Sequence, residues 1–451
     1  MAQIALFGCY GFIFWLFWKD MRWRKAGTKA LIIPGAWIAI QGSRPFSFWL
    51  GYGNGESNIV TTGLFALFLV SAVVVLVKRK LSWGKLVQKN KAVILIYGYL
   101  LCSILWSEKP FDSTKRLIKD FETVLIALIF LTEINPADAI RAVYVRVSYI
   151  LFPLSVVFIK YFPSIGRFPN REGDYMFTGV TTQKNSLGET VFVLGLFLLW
   201  DFIAVYQDPR RKGRKLQLMI RGGMLLMGVW LLKTCDSQTS MLCLALGAAI
   251  FWAGGRLLRM RKGKQVLIGA LAVIAFLAIM DKTFELSNKV IVALGRNPTL
   301  TGRTEIWKAV LEQQTDPIFG HGFEIFWDTE RGQTVIEGLM QINSTHNGYL
   351  EMYVDGGAVG VVLLIFMMLV GGRRVIDRLF AKHPLGRIGL VFWLITILYN
   401  FSETSYFRLD ILWFTLLMVF LLAPQTKQQL AHARRMAEAA SGTGLAAVPG
   451  R

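Results

Sequence analysis

Val60-Thr-Thr-Gly-Leu-Phe-Ala-Leu-Phe-Leu-Val-Ser-Ala-Val-Val-Val-Leu-Val77 runs eighteen residues without a charge and ends on Lys78-Arg79-Lys80. A bilayer core takes about 20 helical residues to cross, and a basic cluster directly after an apolar run marks its cytoplasmic end. Runs of this kind recur along the chain, at about 2–18, 30–42, 92–106, 121–132, 143–162, 186–206, 216–232, 238–254, 265–280, 348–370, 388–401 and 409–423. Of the 451 residues, 54% are hydrophobic and only 18% are charged, against about 25% in soluble chains. The pattern predicts an all-α integral membrane protein and excludes an ordinary soluble domain.

Charge sets the expected topology. The net charge is +21, but the basic residues lie in short clusters between apolar runs rather than along one face, so the excess does not read as a nucleic-acid surface. The breaks 19–29, 78–91, 133–146, 207–221, 255–264 and 371–387 hold 29 Lys and Arg together, whereas the short breaks on the other side hold 11. The positive-inside rule then gives about twelve spans from residue 30 onward with both ends in the cytoplasm. Run 2–18 is a thirteenth span, an interfacial helix or an uncleaved signal-like segment. The chain divides into a hydrophobic segment with a basic loop (1–29), a helix bundle (30–280), a large outer loop (281–347), further spans (348–423) and a cytoplasmic tail (424–451). The four cysteines, Cys9, Cys102, Cys235 and Cys243, read as packed apolar side chains.

The loop 281–347 is long for a compact protein, and long loops usually carry function. Ile306, Val310 and Leu311 have helical spacing behind Thr301 or Thr304 as a cap. Ionisable residues recur at the ends of the spans on this same side, where each is a candidate site residue: Arg116 with Lys119 and Asp120; Lys184 and Asn185; Lys233, Asp236 and Gln238; Arg303; His346 with Asn347 and Tyr349; Glu403 with Arg408. Bland readings stand beside them: Asp236 as a helix cap, Glu403 pairing with Arg408 across a turn, and His321 as a turn residue between glycines. An imidazole suits proton abstraction from a hydroxyl, and Arg and Lys suit a diphosphate. No DxD pair or HExxH offers a divalent-metal site, and Asp328-Thr-Glu330 is a weak candidate, so activation of a phosphate leaving group falls to basic side chains and no cofactor is expected.

His346-Asn347, nine residues, then Gly357-Ala358-Val359-Gly360 resembles a motif of the bacterial O-antigen ligase and polysaccharide polymerase superfamily. Thr301-Gly302-Arg303 with Ile306-Trp307 is similar to that family's Gly-Arg motif, and Lys184-Asn185-Ser-Leu-Gly188, Ser43-Arg44-Pro45 and Pro317-Ile-Phe-Gly320-His-Gly322-Phe323 are weaker matches. The resemblance implies a GT-C-like, metal-independent, inverting glycosyltransferase of the bacterial inner membrane. It would move a glycan from undecaprenyl diphosphate to an acceptor hydroxyl on the periplasmic face, with membrane lipids around it and no nucleic-acid partner. His346 would be the general base and Arg303 would grip the diphosphate, with Lys184, Asn185, Arg116, Lys233, Gln238, Asn347 and Tyr349 lining the substrates. Gly356, Gly357 and Gly360 would let the helix after His346 approach a neighbour closely. Many ligases carry a second Arg where this chain has Gln238, which supplies no charge. The acceptor is lipid A core for a ligase, the favoured expectation, or a growing polysaccharide for a polymerase; a lipid or solute transporter is the reading from another class.

Overall fold

A computed structural model describes residues 1–24, 27–51, 59–169, 175–269, 271, 303–313, 316–339 and 344–442. The chain is helical nearly throughout. In its first half run α1 (Ala2–Trp23), α2 (Ile32–Gln41), α3 (Ile59–Lys78), α4 (Trp83–Lys89), α5 (Lys91–Ser103), α6 (Pro110–Leu131) and α7 (Pro136–Tyr161). A small antiparallel hairpin comes next, β1 (Arg167–Pro169) with β2 (Tyr175–Phe177), and then α8 (Lys184–Tyr206), α9 (Arg214–Cys235) and α10 (Gln238–Leu257). Beyond lie α11 (Arg303–Glu312), α12 (Glu330–Gly338), α13 (Gly348–Phe380), α14 (Gly386–Tyr399), α15 (Ile411–Phe420) and α16 (Lys427–Gly442).

Among the described residues seven helices are long and apolar enough to cross a membrane: α1, α3, α7, α8, α9, α10 and α13. Four shorter apolar helices accompany them, Lys29–Gln41, Lys91–Trp106, α14 and α15. The protein is therefore an all-α, multi-pass membrane protein. The run 121–132 is the second half of α6, whose first half carries Lys115, Arg116 and Lys119. Most of run 265–280 and the start of the large loop, including Thr301 and Gly302, fall outside the described residues. Cys9, Cys235 and Cys243 are buried, as expected of packed thiols; Cys102, on the apolar helix α5, is exposed among the described residues instead.

The chain forms two compact units. The first comprises Met1–Lys91, Lys119–Ala245 and Leu409–Arg451. Its centre is built on α7, α8 and α15, each apolar on nearly every face, as a helix with neighbours all round must be. Tyr144 stacks on Phe197 with ring centroids 3.7 Å apart, and its buried hydroxyl is 2.7 Å from Thr415 Oγ1. α1 packs against α7. Charged residues near the end of α1 fix that contact: Arg24 Nη2 donates to both oxygens of Asp201 at 2.7 Å, and Arg146 Nε donates to Asp20 Oδ2 at 2.8 Å. Arg221 Nε closes the group on Asp201 Oδ2 at 2.5 Å. Asp20, Asp201 and Arg221 are fully buried, where an isolated charge would not be tolerated but hydrogen-bonded pairs are.

In the same unit Arg44 staples the loop that carries the hairpin. Its Nε donates to the Thr181 carbonyl at 2.9 Å, and its Nη2 to the Ile165 carbonyl. Burial pulls this guanidinium below its ordinary pKa. Arg44 thus orders the turn that leads into α8 and Lys184.

The second unit comprises Ala92–Ile118 and Leu246–Arg408. The described part of the large loop has a small core of its own, in which Ile306 and Val310 of α11, Phe326, Trp327 and Val335 meet Val354 of α13. The helical spacing anticipated for α11 is present, with Ile306 and Val310 buried and Leu311 exposed. Thr304 is the second residue of that helix rather than its cap, because the helix already begins at Arg303.

α13 is not continuous. Gly357 has φ +61° and ψ −163°, which divides the helix into a short Gly348–Gly356 arm and a long Ala358–Phe380 arm. A break frees backbone groups that must find other partners, and the Pro317–Gly322 segment supplies them. Ala358 N–H donates to the Pro317 carbonyl at 2.9 Å and Val359 N–H to that of Ile318 at 3.2 Å. His321 N–H donates to the Val354 carbonyl and Gly322 N–H to that of Asp355, both at 2.9 Å. The Tyr99 hydroxyl donates to the Gly356 carbonyl at 2.6 Å. The close neighbour of Gly357 is therefore a loop backbone, while Gly356 faces Tyr99 of α5 and Gly360 faces Met352.

A Cβ on Gly357 would lie 2.2 Å from the Ile318 carbonyl oxygen, and only glycine populates these dihedrals readily. Gly357→Ala is expected to destabilise the protein by at least about 1–3 kcal/mol through backbone strain alone. Thermal unfolding of the purified variant measures this; an unchanged midpoint would mean that the helix does not break at this residue.

Candidate functional site

The short arm of α13 begins on residues that the sequence singles out. Asn347 caps it: its Oδ1 accepts from the Tyr349 and Leu350 N–H groups at 3.0 and 3.2 Å. Gly348 N–H donates to the Asn400 and Glu403 carbonyls at 2.9 and 3.1 Å. A Cβ on Gly348 would lie 1.9 Å from Asn400 Oδ1, so the turn after α14 can close on the helix start only against a glycine. His346, immediately before the cap, sits at φ +49°. That left-handed conformation is uncommon outside glycine, and it persists where the surroundings fix it.

The close approach of the 400–408 turn brings Glu403 to the imidazole. His346 Nδ1 is 3.2 Å from Glu403 Oε2, and Arg303 Nη2 donates to Glu403 Oε1 at 2.9 Å. One carboxylate, largely buried, thus joins the histidine of the short arm to the arginine that opens α11. The His346 side chain remains one-third exposed. A carboxylate at Nδ1 favours the tautomer that carries its proton on Nδ1 and leaves Nε2 as an acceptor. The site therefore holds a side chain able to take a proton beside a cation that can meet an anionic group.

A second carboxylate fixes the backbone on which His346 sits. Glu351 Oε2 accepts from Thr345 N–H at 2.9 Å and Thr345 Oγ1 at 2.6 Å, while its Oε1 accepts from Trp327 Nε1 at 2.6 Å. Arg408 is ion-paired to Glu351, and also to Glu324 at 2.5 Å. Burial opposes the Arg408 charge, yet Glu324, Glu351 and Asp355 together hold its pKa above the ordinary arginine value. The expected Glu403–Arg408 pair across the turn is thus replaced: Glu403 turns to Arg303 and His346, and Arg408 turns to Glu324 and Glu351.

The remaining expected site residues fall in two groups. Arg116 belongs to the second unit, where its Nη2 is 2.6 Å from Asp328 Oδ2 and its Nη1 donates to the Glu324 carbonyl. Asp328 is thereby engaged by a cation, and among the described residues no three His, Cys, Asp or Glu side chains are placed to share a metal ion. Tyr349 donates its hydroxyl to the Ile397 carbonyl at 3.1 Å, accepts from Tyr406 at 3.2 Å, and lies tilted by 43° against the exposed Phe401 with centroids 4.9 Å apart. Lys184, Asn185, Lys233 and Gln238 belong to the first unit. There Gly188 meets Ser237 and Ser240 so closely that the starts of α8 and α10 lie together, and Gln238 Nε2 donates to Asp236 Oδ1 at 3.3 Å. His321 is a turn residue, as its flanking glycines suggest; burial first, and then Arg331, lower its pKa.

Glu351 is the residue that sequence reasoning did not single out, and Glu403 was singled out with Arg408 rather than with the partners it has. The signal is faint, because both partners of Glu403 are distant in sequence.

Residues 222–365, which contain Arg303, His346 and the Gly357 break, match the O-antigen ligase family. The exopolysaccharide production protein ExoQ of Rhizobium meliloti (strain 1021) is 27% identical over 292 residues, covering 62% of this chain and 64% of that relative. The chain thus spans less than two thirds of the length of this curated relative. An uncharacterized protein of Haemophilus influenzae is 33% identical over 79 residues, 16% of this chain and 20% of its own. With His346, Arg303 and the glycine break inside the matched segment, the chain is similar to the O-antigen ligase family over residues 222–365.

Proposed function

We propose that the protein is a membrane glycosyltransferase that moves a glycan from undecaprenyl diphosphate to a sugar hydroxyl at the periplasmic face of the inner membrane. The observation that carries this reading is the Arg303–Glu403–His346 group. His346 Nε2 takes the proton of the acceptor hydroxyl, while Glu403 at Nδ1 fixes the ring and offsets the imidazolium charge that forms. The acceptor oxygen attacks the anomeric carbon from the face opposite the diphosphate, so the configuration inverts through an oxocarbenium-like transition state. Arg303 meets the diphosphate as negative charge builds on it, with no metal ion required; stabilisation at the point where charge develops is among the larger catalytic terms. Tyr349 and Phe401 offer an aromatic surface beside the base, suited to a sugar ring.

The acceptor divides two readings. The family description favours transfer to lipid A core, whereas the relative matched over the longer stretch is an exopolysaccharide production protein, which favours extension of a polysaccharide on its lipid carrier. We take chain extension as the better supported. Purified protein supplied with a lipid-linked repeat unit should give a ladder of carrier-linked products. A single addition to lipid A core with no ladder would establish the ligase reading instead.

His346→Ala is expected to lower turnover by about 10²–10⁴-fold, the usual contribution of a general base, with unaltered membrane insertion. Undiminished turnover would remove His346 from the chemistry. Arg303→Lys is a sharper test than alanine, because lysine keeps the charge but cannot hold Glu403 and a diphosphate through a planar fork. Turnover should fall by at least about tenfold. Full activity in this variant would mean that Arg303 acts as a point charge only.

A further inference from the structure

The segment that enters the break in α13 also carries an apolar tip. Pro317, Ile318 and Phe319 are exposed, although residues 320–323, directly after them, are buried. Single exposed apolar side chains are common on any surface, whereas a contiguous group of them marks a contact. Phe319 packs against Trp106, with ring centroids 5.7 Å apart. Trp106 ends the apolar stretch Lys91–Trp106, along which Ile94, Leu95, Leu101, Cys102 and Leu105 are exposed among the described residues. These positions recur at helical spacing on one face, the face that a membrane protein turns to lipid, and a tryptophan at its end stands at headgroup depth. The tip 317–319 therefore continues a lipid-facing surface.

Depth along α13 agrees. Gly357 stands sixteen residues before Arg373, the first cation at the far end of the long arm, and so at most about 24 Å from it at the helical rise. A hydrocarbon core is about 30 Å thick, so the break, and the Ile318 backbone that bonds to it, lie at or within the boundary of that core. Irregular backbone persists at such depth only where its polar groups are met inside the protein. Here they are met: Asp316 Oδ1 accepts from the Ile318 and Phe319 N–H groups, both at 2.9 Å, and the Ile318 carbonyl accepts from Val359 N–H at 3.2 Å. The Phe319 carbonyl lies 3.1 Å from the Tyr99 hydroxyl, which also bonds to Gly356. A loop tip in water has no need of this closure, because solvent supplies the partners.

We propose that Pro317-Ile318-Phe319 is a membrane wedge, seated beside Trp106 at the edge of the bilayer with its side chains among the acyl chains next to the headgroups. Its occupant is lipid rather than another protein, because the tip is continuous with the lipid-facing side of α5 and carries no charged side chain. Burial of Ile318 and Phe319 in lipid holds the 317–322 backbone against the α13 break. Through residues 323–328 it thereby steadies Glu324 and Trp327, which engage Arg408 and Glu351 ahead of His346. The bilayer is in this way part of the scaffold of the short arm.

The test places a nitroxide label on the tip of the full-length protein in phosphatidylcholine liposomes. C102S leaves Cys9, Cys235 and Cys243, all buried, so I318C/C102S and, separately, F319C/C102S take the label at one site. Both variants keep the backbone hydrogen bonds of the segment. K308C/C102S, at an exposed position of α11, is the aqueous reference, and label on Cys102 of the unaltered protein is the lipid reference. The ratio of collisions with oxygen to collisions with a water-soluble nickel chelate is expected to be at least about threefold higher at both tip positions than at position 308, as where polar solutes are partly excluded. It should approach the ratio at Cys102. A ratio equal to that at position 308 would put the tip in water and overturn the proposal. Few collisions with either reagent would mean that protein covers the tip, from a second copy or from elsewhere in this chain, and would overturn it equally. If one labelled variant does not fold, the other still decides.

Discussion

The organisation of the second unit depends on what happens to backbone hydrogen bonds when a helix stops at Gly357. Carbonyls before the break and N–H groups after it lose their helical partners, and the 317–322 backbone enters to bond with both sides. This happens only because Gly320 and Gly357 both lack a Cβ: on either residue a side chain would collide with the other's strand at under 3 Å. The insertion in turn places the next stretch of chain. Phe323 to Asp328 are delivered against the short arm of α13, so that Glu324 reaches Arg408 and Trp327 reaches Glu351.

Two carboxylates, Glu403 and Glu351, divide the electrostatic task. Glu351 is a structural hub: it receives the Thr345 backbone, the Trp327 indole and the Arg408 guanidinium, and so fixes the residues just before His346. Glu403 is directed at the imidazole itself and at Arg303. Had Glu403 paired with Arg408, the histidine would lack an orienting acceptor and the cation of α11 would have no anchor. Arg408 stays with Glu324 and Glu351 because three acidic groups around one guanidinium hold it more firmly than a single neighbour could.

The membrane class, the apolar runs and α11 were legible because they rest on periodicity and length, which are local properties. His346, Asn347 and Arg303 were legible as residues, since an imidazole and a guanidinium beside apolar runs are unusual wherever they occur. Their connection was not, because Glu403 lies 57 residues from His346 and 100 from Arg303 and nothing in the intervening chain encodes the turn that returns it. The glycines after His346 illustrate the same boundary. Their number signals a close approach without saying to what; at Gly357 the neighbour is a loop, because a glycine in the left-handed region breaks the helix and leaves its backbone to be satisfied. Arg44 shows the converse, a residue singled out by a motif whose visible role is to bind loop carbonyls.

In the proposed reaction Arg303 serves both an anchor and a substrate, and the geometry of a guanidinium suits it to that double task. Arg303 uses Nη2 on Glu403, while Nη1 and Nε point along other edges of the same plane and can address a phosphate oxygen pair. An ammonium in that place would have to choose, since its three donors diverge from a single atom and a carboxylate would draw the whole charge toward itself. Holding the cation through one nitrogen therefore fixes its plane before any diphosphate arrives, so less side-chain freedom is lost when binding occurs. The same bond keeps Glu403 beside His346, and in this way the proposed proton acceptor and the cation proposed to meet a departing anion are held by a single carboxylate.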